Sequence, residues 1–332
     1  MSTPPGLGPH CVGQRVVVRR VLPGQTGPSG GPAMTDLLGV METWSADRTE
    51  IRGEDGSVTS IRLADIVSGK PVPPRPSPRL RVSPEQACRL SNASWPAIHT
   101  EPLGDWLLRA SGGFSARANS VMATGEPGLP FDQALDRVRG FYAGLGLPAW
   151  AQVVVGSEAS FAYTEHGWRP ARPGEADSHF QLASVAQAVR ALRRRLPAQT
   201  PPVSVGTTAT PAWLANDDRA LQHRDAALAV LEGPDDVAFV SVGSPVLVAK
   251  GRVSCESDWA GITDVWVSPD HRRRGLGVVV LAAMLDHAAE RGATTAYLQV
   301  RGDNRPGLAL YEGLGFRTHH TYRYLAEPSS HR

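Results

Sequence analysis

The strongest chemical signal in the chain lies between Val265 and Gly277, which reads Val-Trp-Val-Ser-Pro-Asp-His-Arg-Arg-Arg-Gly-Leu-Gly. An apolar run precedes the arginines and an amphipathic run follows the glycines. Glycine lets backbone amides approach a ligand closely. A helix N-terminus offers unpaired N–H groups and a partial positive charge. Together these make a pyrophosphate site, to which Arg272, Arg273 and Arg274 add charge. No Gly-Lys-Ser/Thr comes after the glycines, so this is not a Walker loop, and a GxGxxG dinucleotide fingerprint is absent. The alternative is a glycine-bearing strand-to-helix turn with solvated arginines.

The flanking pattern supplies the elements that would hold this turn. Strands are predicted at residues 237–242, 245–252 and 262–267, the first two pairing across Gly243-Ser244. Val278, Leu281, Ala282, Leu285 and Ala289 recur at helical spacing, predicting a helix over 278–291 that Gly292 stops. A strand at 297–300, a helix at 306–313 with proline in its first turn, and a strand at 316–324 complete the run. Further upstream, residues 106–109, 118–122 and 152–155 read as strands. Residues 132–144 and 157–166 read as helices, giving an α/β order. The run Arg193-Arg194-Arg195 closes another helix-like stretch and suits a helix C-terminus facing water.

Proline divides the chain of 332 residues. The segment 71–84 is rich in it and reads as an extended linker, and a weaker break falls at 196–202. The parts are 1–70, 85–196 and 203–327. The first reads as a small SH3-like β-barrel with strands at 15–21, 37–44, 50–52 and 58–62, a Gly/Pro loop at 23–32, and a turn at Glu54-Asp55-Gly56. A net charge of +2 gives no electrostatic case for nucleic acid. No apolar run reaches the roughly 18–20 residues of a membrane span, and the start lacks a secretory pattern, so a cytoplasmic protein is expected. Cys11, Cys88 and Cys255 are too far apart for a disulfide framework or a CxxC zinc site.

The turn and the segment after it resemble the GCN5-related N-acetyltransferase (GNAT) superfamily. The family's Arg/Gln-x-x-Gly-x-Gly/Ala pattern appears as Arg272-x-x-Gly275-x-Gly277. A helix, a strand, Asn304 and Ala309-Leu-Tyr-Glu-Gly-Leu-Gly-Phe316 then come in the family's order. Nearly the whole chain resembles the actinobacterial GNAT family of N-acetylglutamate synthase type with an SH3-like N-terminal domain. The strings are Trp106-Leu-Leu-Arg-Ala-Ser-Gly-Gly-Phe114, Arg117-Ala-Asn-Ser120, Tyr297-Leu-Gln-Val300 and His319-His-Thr-Tyr-Arg-Tyr324. Residues 85–196 then look like a degenerate first GNAT repeat without a coenzyme loop, packed on a catalytic repeat.

This resemblance implies direct acetyl transfer from acetyl-CoA to an amine in a ternary complex, without a metal. Arg272, Arg273, Arg274, Gly275, Leu276, Gly277 and Val278 would hold the pyrophosphate, largely through backbone amides. A backbone N–H near Val265, Trp266 or Val267 would face the thioester carbonyl. Tyr311 stands at the position of the family's general acid, its alternative being a packed core tyrosine. Asn304 would position the coenzyme or cap the adjacent helix. The base is open: Asp264 lies on the right strand, Glu256 and Asp258 are alternatives, and a water chain would also serve. Cys255 reads as a buried structural thiol rather than a nucleophile.

L-Glutamate is the favoured acceptor, with arginine biosynthesis as the setting. A dicarboxylate would want arginine forks, and Arg109, Arg117 and Arg301, with Asn119, lie near the resembling strings. His319 and His320, adjacent on a strand, should point to opposite faces and serve as core or pocket residues. The rivals are another small amine, such as an aminoglycoside or polyamine, a protein amine, and an acetyl-CoA sensor without turnover. An acidic pocket would favour the polycationic amines. A homo-oligomer is compatible with this sequence.

Overall fold

The computed structural model describes residues 6–27, 30–53, 56–72 and 78–328. The chain separates into two compact units, Met1–Ser77 and Pro78–Arg332. The first is a five-stranded antiparallel sheet of β1 (Arg15–Thr26), β2 (Pro32–Trp44), β3 (Arg48–Gly53), β4 (Val58–Arg62) and β5 (Ile66–Pro71), in the order β4-β3-β2-β1-β5. Alternation buries Val16, Val18, Met41, Ile51 and Ile61 on one face. The Gly/Pro loop is shorter than expected. Strand β1 continues through Pro23 and Gly24 to pair Thr26 with Pro32, because a bulge after Val21 absorbs the irregular residues. Glu54 and Asp55 of the expected turn, and residues 73–77 of the expected linker, lie outside the described residues.

The second unit opens with α1 (Pro84–Ala93), capped by Ser83, whose side chain accepts from the Gln86 amide. There follow β6 (His99–Leu103), β7 (Trp106–Ala110), β8 (Val121–Ala123), α2 (Phe131–Gly144), β9 (Trp150–Val154), α3 (Glu158–Glu165), β10 (Arg169–Pro170), β11 (Ser178–Ser184) and α4 (Val185–Arg193). Next come β12 (Val203–Gly206), the short helices α5 (Pro211–Leu214), α6 (Asp218–Gln222) and α7 (Arg224–Leu231), β13 (Val237–Val242), β14 (Ala249–Glu256) and β15 (Trp259–Val267). The chain ends with α8 (Leu276–Glu290), β16 (Thr295–Arg301), α9 (Arg305–Glu312) and β17 (Arg317–Ala326). Strand β14 begins four residues later than the expected 245, after a longer connection from Val242.

All these strands join one sheet, ordered β12-β13-β14-β15-β16-β11-β17-β9-β8-β7-β6, with β10 beside β17. The order is nearly palindromic. A parallel pair joined through a helix occurs twice, as β8-α2-β9 and β15-α8-β16. Each pair is flanked by the final strand of the other repeat: β11 lies against β16, and β17 lies against β9. The break at 196–202 is therefore a connection inside one hydrogen-bonded sheet. The repeats are interlocked by exchange of their last strands.

Helix α8 buries Val279, Val280, Leu281, Met284, Leu285 and Ala288 against this sheet. At about 25 cal/mol per Å² of apolar surface, such a face supplies most of the force that fixes the turn at its N-terminus. The first repeat has its own core around Trp106, Leu135, Tyr142, Tyr163 and Trp168.

Candidate active site

Strands β15 and β16 are paired in parallel only from Trp259↔Thr295 to Ile262↔Leu298. Beyond that point each continues, to Val267 and to Arg301, without the other. The cause is visible on β15. Its register against β14 slips between Arg252↔Thr263 and Lys250↔Trp266, and Asp264 sits in the left-handed region at φ 53°. This bulge turns the strand away from its parallel neighbour. The opened cleft, about 530 Å³, is lined by Ile262 to Val265, Leu298 to Arg301, Asp303, Asn304, Pro306 and Tyr311. Backbone groups beyond the bulge, at Val265, Trp266 and Val267, lie on the diverging stretch of β15. In the first repeat β8 stops at Ala123 after three paired residues, so it has no counterpart of the diverging end of β15.

At the end of β15 the turn has the geometry its composition suggests. Arg273 has φ 62°, and Gly275, at φ 79°, is the N-cap of α8. The amides of Arg273, Arg274, Gly275, Leu276 and Gly277 have no acceptor among the described residues. The Val278 amide is already used, donating to the Gly275 carbonyl at 3.0 Å, so it drops out of the expected donor set. Arg272, Arg273 and Arg274 are exposed, and Arg272 Nε donates back to the Val267 carbonyl at 3.3 Å. Glycine at 277 is required by neither backbone nor packing. A Cβ there would meet only Leu310 and Val267, at 3.8 and 3.9 Å. The five free amides and this reserved space fit a coenzyme A pyrophosphate.

Tyr311 projects from α9 into the same cleft and is 9% exposed. Burial pushes its pKa up to about 12, so the phenol stays protonated at neutral pH and is a proton donor. Its hydroxyl has no protein partner among the described residues. Asn304 Oδ1 accepts from the Gly307 amide at 3.1 Å, capping α9. That oxygen is committed, and Asn304 holds the helix that carries Tyr311.

A second cavity, of about 560 Å³, adjoins the cleft and shares Ile262, Thr263, Asp264, Gln299 and Arg301 with it. Both repeats build it, with Trp95, Ser115, Arg117 and residues 175–178 from the first and Arg219, Asp264 and Tyr322 from the second. Five arginines and three carboxylates line it. Arg323 pairs with Asp177 at 2.7 Å, and Arg301 with Asp303 and Glu175 at 2.6 and 3.1 Å. Arg117 has no ion pair or hydrogen bond among the described residues, and its Nε is buried without a partner. Its guanidinium carbon lies 4.9 Å from the centre of the Trp95 ring, and that of the buried Arg252 lies 5.4 Å from the same ring. Burial pushes Arg252 down to about 10. Asp264 Oδ2 is likewise buried without a partner. The Tyr322 hydroxyl donates to Gln299 Oε1 at 2.6 Å, fixing the amide between the two cavities.

Several expected residues lie elsewhere. Arg109 is fully buried and bonds to the Ser120 carbonyl and hydroxyl, Gln152 and Asn92 at 2.7–3.2 Å, so it braces the first repeat and does not line the cavity. Asn119 is also internal. Its Oδ1 accepts from the Ser111 and Gly113 amides and its Nδ2 donates to the Ser115 carbonyl, shaping the loop that presents Arg117. Arg301, paired with two acids, is not a free fork. Glu256 and Asp258 are exposed at the hairpin that starts β15, with Asp258 roughly 20 Å along the strand from Asp264, out of reach of the cleft. Cys255 is buried and pushed up to about 11 by burial, a structural thiol.

The histidine pair departs from strand alternation. A register slip between Phe180↔His320 and Gln181↔Thr318 makes His319 an extra residue, and the two Nδ1 atoms lie 2.8 Å apart. His320 Nε2 approaches Cys88 Sγ at 3.6 Å, and burial pushes its pKa down to about 4. The pair is a part-buried polar contact. Sequence alone does not point to Trp95, Arg252, Gln299 or Tyr322. Gln299 and Tyr322 fall within strings that carry the family resemblance, whereas Trp95 and Arg252 carry no signal of their own. No group of three His, Cys, Asp or Glu side chains suited to a metal ion occurs among the described residues. No helix there is long and apolar enough to cross a membrane.

Comparison with known proteins gives the family and the fold. Residues 85–325 match the family model described as "Probable histone acetyltransferase Rv0428c C-terminal", and residues 10–70 match "Rv0428c N-terminal Sm-like domain". The small β-unit expected as SH3-like is thus matched by an Sm-like description. "Probable histone acetyltransferase Rv0428c" of Mycobacterium tuberculosis is 28% identical over 98% of this chain and 97% of its own. "Uncharacterized N-acetyltransferase YobR" of Bacillus subtilis is 27% identical over 71% of this chain and 96% of its own. A solved protein of unknown function from Staphylococcus epidermidis shares the fold, with a TM-score of 0.54 at 8% identity over 75% of this chain and 98% of that one. A "GCN5-related N-acetyltransferase from Kribbella flavida" has a TM-score of 0.47 at 21% identity, covering 74% of this chain and 96% of that one.

Proposed function

The chain belongs to the family described as "Probable histone acetyltransferase Rv0428c C-terminal", within the GNAT N-acetyltransferases, and on that premise we propose that its acceptor is a small amine bearing a carboxylate. L-Glutamate is the first candidate, which would set the reaction in arginine biosynthesis. One observation carries this reading. A guanidinium and a carboxylate, Arg117 and Asp264, both line the cavity next to the cleft, and neither has a hydrogen bond or ion pair among the described residues. An amino acid brings the two complementary charges, a carboxylate for Arg117 and an amine for Asp264. A cavity with more arginines than acids suits a polycationic amine poorly.

In this proposal the free amides of the turn hold the pyrophosphate of acetyl-CoA, and the pantetheine runs along the opening between β15 and β16. Asp264 accepts the proton of the acceptor ammonium, leaving a neutral nitrogen. That nitrogen bonds to the acetyl carbon while a backbone N–H of β15 beyond the bulge faces the developing oxyanion. The C–S bond breaks, Tyr311 gives its proton to the departing thiolate, and the new amide nitrogen releases its extra proton to solvent, from which Tyr311 is reprotonated.

The test is CoA release from acetyl-CoA with L-glutamate, beside a lysine-containing peptide, a polyamine and an aminoglycoside. Release should depend on glutamate, fall about 100-fold or more in Tyr311→Phe, and show a raised KM for glutamate, with the KM for acetyl-CoA unchanged, in Arg117→Met. Turnover confined to amines without a carboxylate would sink the acceptor assignment. Binding of acetyl-CoA with no turnover on any amine would make the protein a sensor.

A further inference from the structure

The arginine run at the end of α4 does not simply face water. A Cβ added to Gly313, at the end of α9, would stand 2.5 and 2.6 Å from Arg195 Nη1 and Nη2. The ring of Pro197, two residues on, lies 3.5 Å from where a Cβ of Gly275 would be. The segment 195–197 thus runs from the end of α9 to the turn at the start of α8. Arg193 leans on α8 through Asp286 at 3.8 Å. Arg195 is exposed and makes no side-chain hydrogen bond or ion pair among the described residues.

A helix-capping role does not explain this placement. The Glu312 and Phe316 carbonyls at the end of α9 already accept from Arg317 Nη1, at 3.3 and 3.0 Å. Nor does backbone conformation explain glycine at 313. Its φ of −65° and ψ of −14° are ordinary helical values, open to any residue. Its lack of a side chain leaves room for the Arg195 guanidinium.

We infer that Arg195, admitted by Gly313, binds the 3′-phosphate of the coenzyme. This rests on the acetyl-CoA reading above. The turn amides account for the pyrophosphate, which leaves the 3′-phosphomonoester as the coenzyme's remaining anionic group. A guanidinium with its donors unused is the side chain that matches a phosphate geometrically. Two loops distant in sequence then divide the anionic part of the ligand, the Arg272–Gly277 turn on one side and the α4 terminus on the other.

The experiment is calorimetric titration of the full chain with acetyl-CoA and with acetyl-3′-dephospho-CoA. The natural protein should bind acetyl-CoA about ten-fold or more tightly than the dephospho form. Arg195→Ala should remove that gap by weakening acetyl-CoA alone. Gly313→Ala, which alters no charge and favours a helix, should remove it too by displacing the guanidinium. Equal affinity of the natural protein for the two ligands, a gap that survives both variants, or parallel weakening of both ligands would overturn the inference while leaving the acetyl-CoA reading in place. Failure to bind either ligand would overturn that reading, and this inference with it.

Discussion

Arg109 and Arg117 lie eight residues apart and carry the same charge, yet packing separates their roles. Arg109 spends its donors on neutral partners inside the first repeat, while Arg117 keeps them for the cavity. Nothing local distinguishes them, because what matters is which acceptors the tertiary fold brings near. Tyr311 is a similar case, since the acid role proposed for it depends on surroundings that the helical string does not reveal. Its pKa, raised by burial to about 12, sets a test. A general acid loses activity as pH rises through its pKa. Its alkaline limb should therefore lie above pH 11, about two units beyond the limb of an unperturbed phenol. A profile of kcat/KM for acetyl-CoA checks this, and a fall centred near pH 10 would argue that Tyr311 is solvated or is not the acid.

At the scale of elements, the turn before α8 carries the most information. Gly275 and Gly277 are two letters apart and do different work. Gly275 occupies φ 79°, where a Cβ is strained. Gly277 is an ordinary helical residue beside open space. Gly275→Ala should lower stability by about 1 kcal/mol, seen as a reduced denaturation midpoint. Gly277→Ala should leave the midpoint unchanged or raise it, since alanine favours the helix, while raising the KM for acetyl-CoA. Equal thermal effects, or no change in KM, would contradict this division. The bulges at Asp264 and His319 belong to the same scale. Each defeats simple strand alternation, one opening the cleft and the other bringing two imidazoles together.

For the whole second unit, exchange of β11 and β17 makes the repeats interdependent. Without residues 78–196, β16 would lose its neighbour β11 and β17 would lose both β11 and β9, leaving three unpaired edges. A chain of residues 197–328 alone should aggregate or lack cooperative unfolding. Co-expression with 78–196 should restore a soluble complex by size exclusion and circular dichroism. Independent folding of the second half would refute interlocking. The cavity proposed for the acceptor has the same dependence, because its walls come from both repeats.

By itself the sequence determined the order of elements in the second repeat, the glycine- and arginine-bearing turn at 272–277 and the place of Tyr311 in the helix that follows. These are short-range properties, written in glycine and arginine spacing and in helical periodicity. Strands β6 and β12 are short and carry little periodic signal, and β11 is a mixed run whose strand character comes from its pairing with β16 and β17. The acceptor side was illegible for a different reason. Trp95, Arg117 and Asp264 are separated by up to 169 positions and meet only when the two repeats share a sheet. That Arg117 has no ion pair among the described residues while Arg301 has two, that Gly277 borders open space while Gly313 faces Arg195, and where two strands part are decided by long-range packing. That packing sets burial and partners, and through them the chemistry of each side chain.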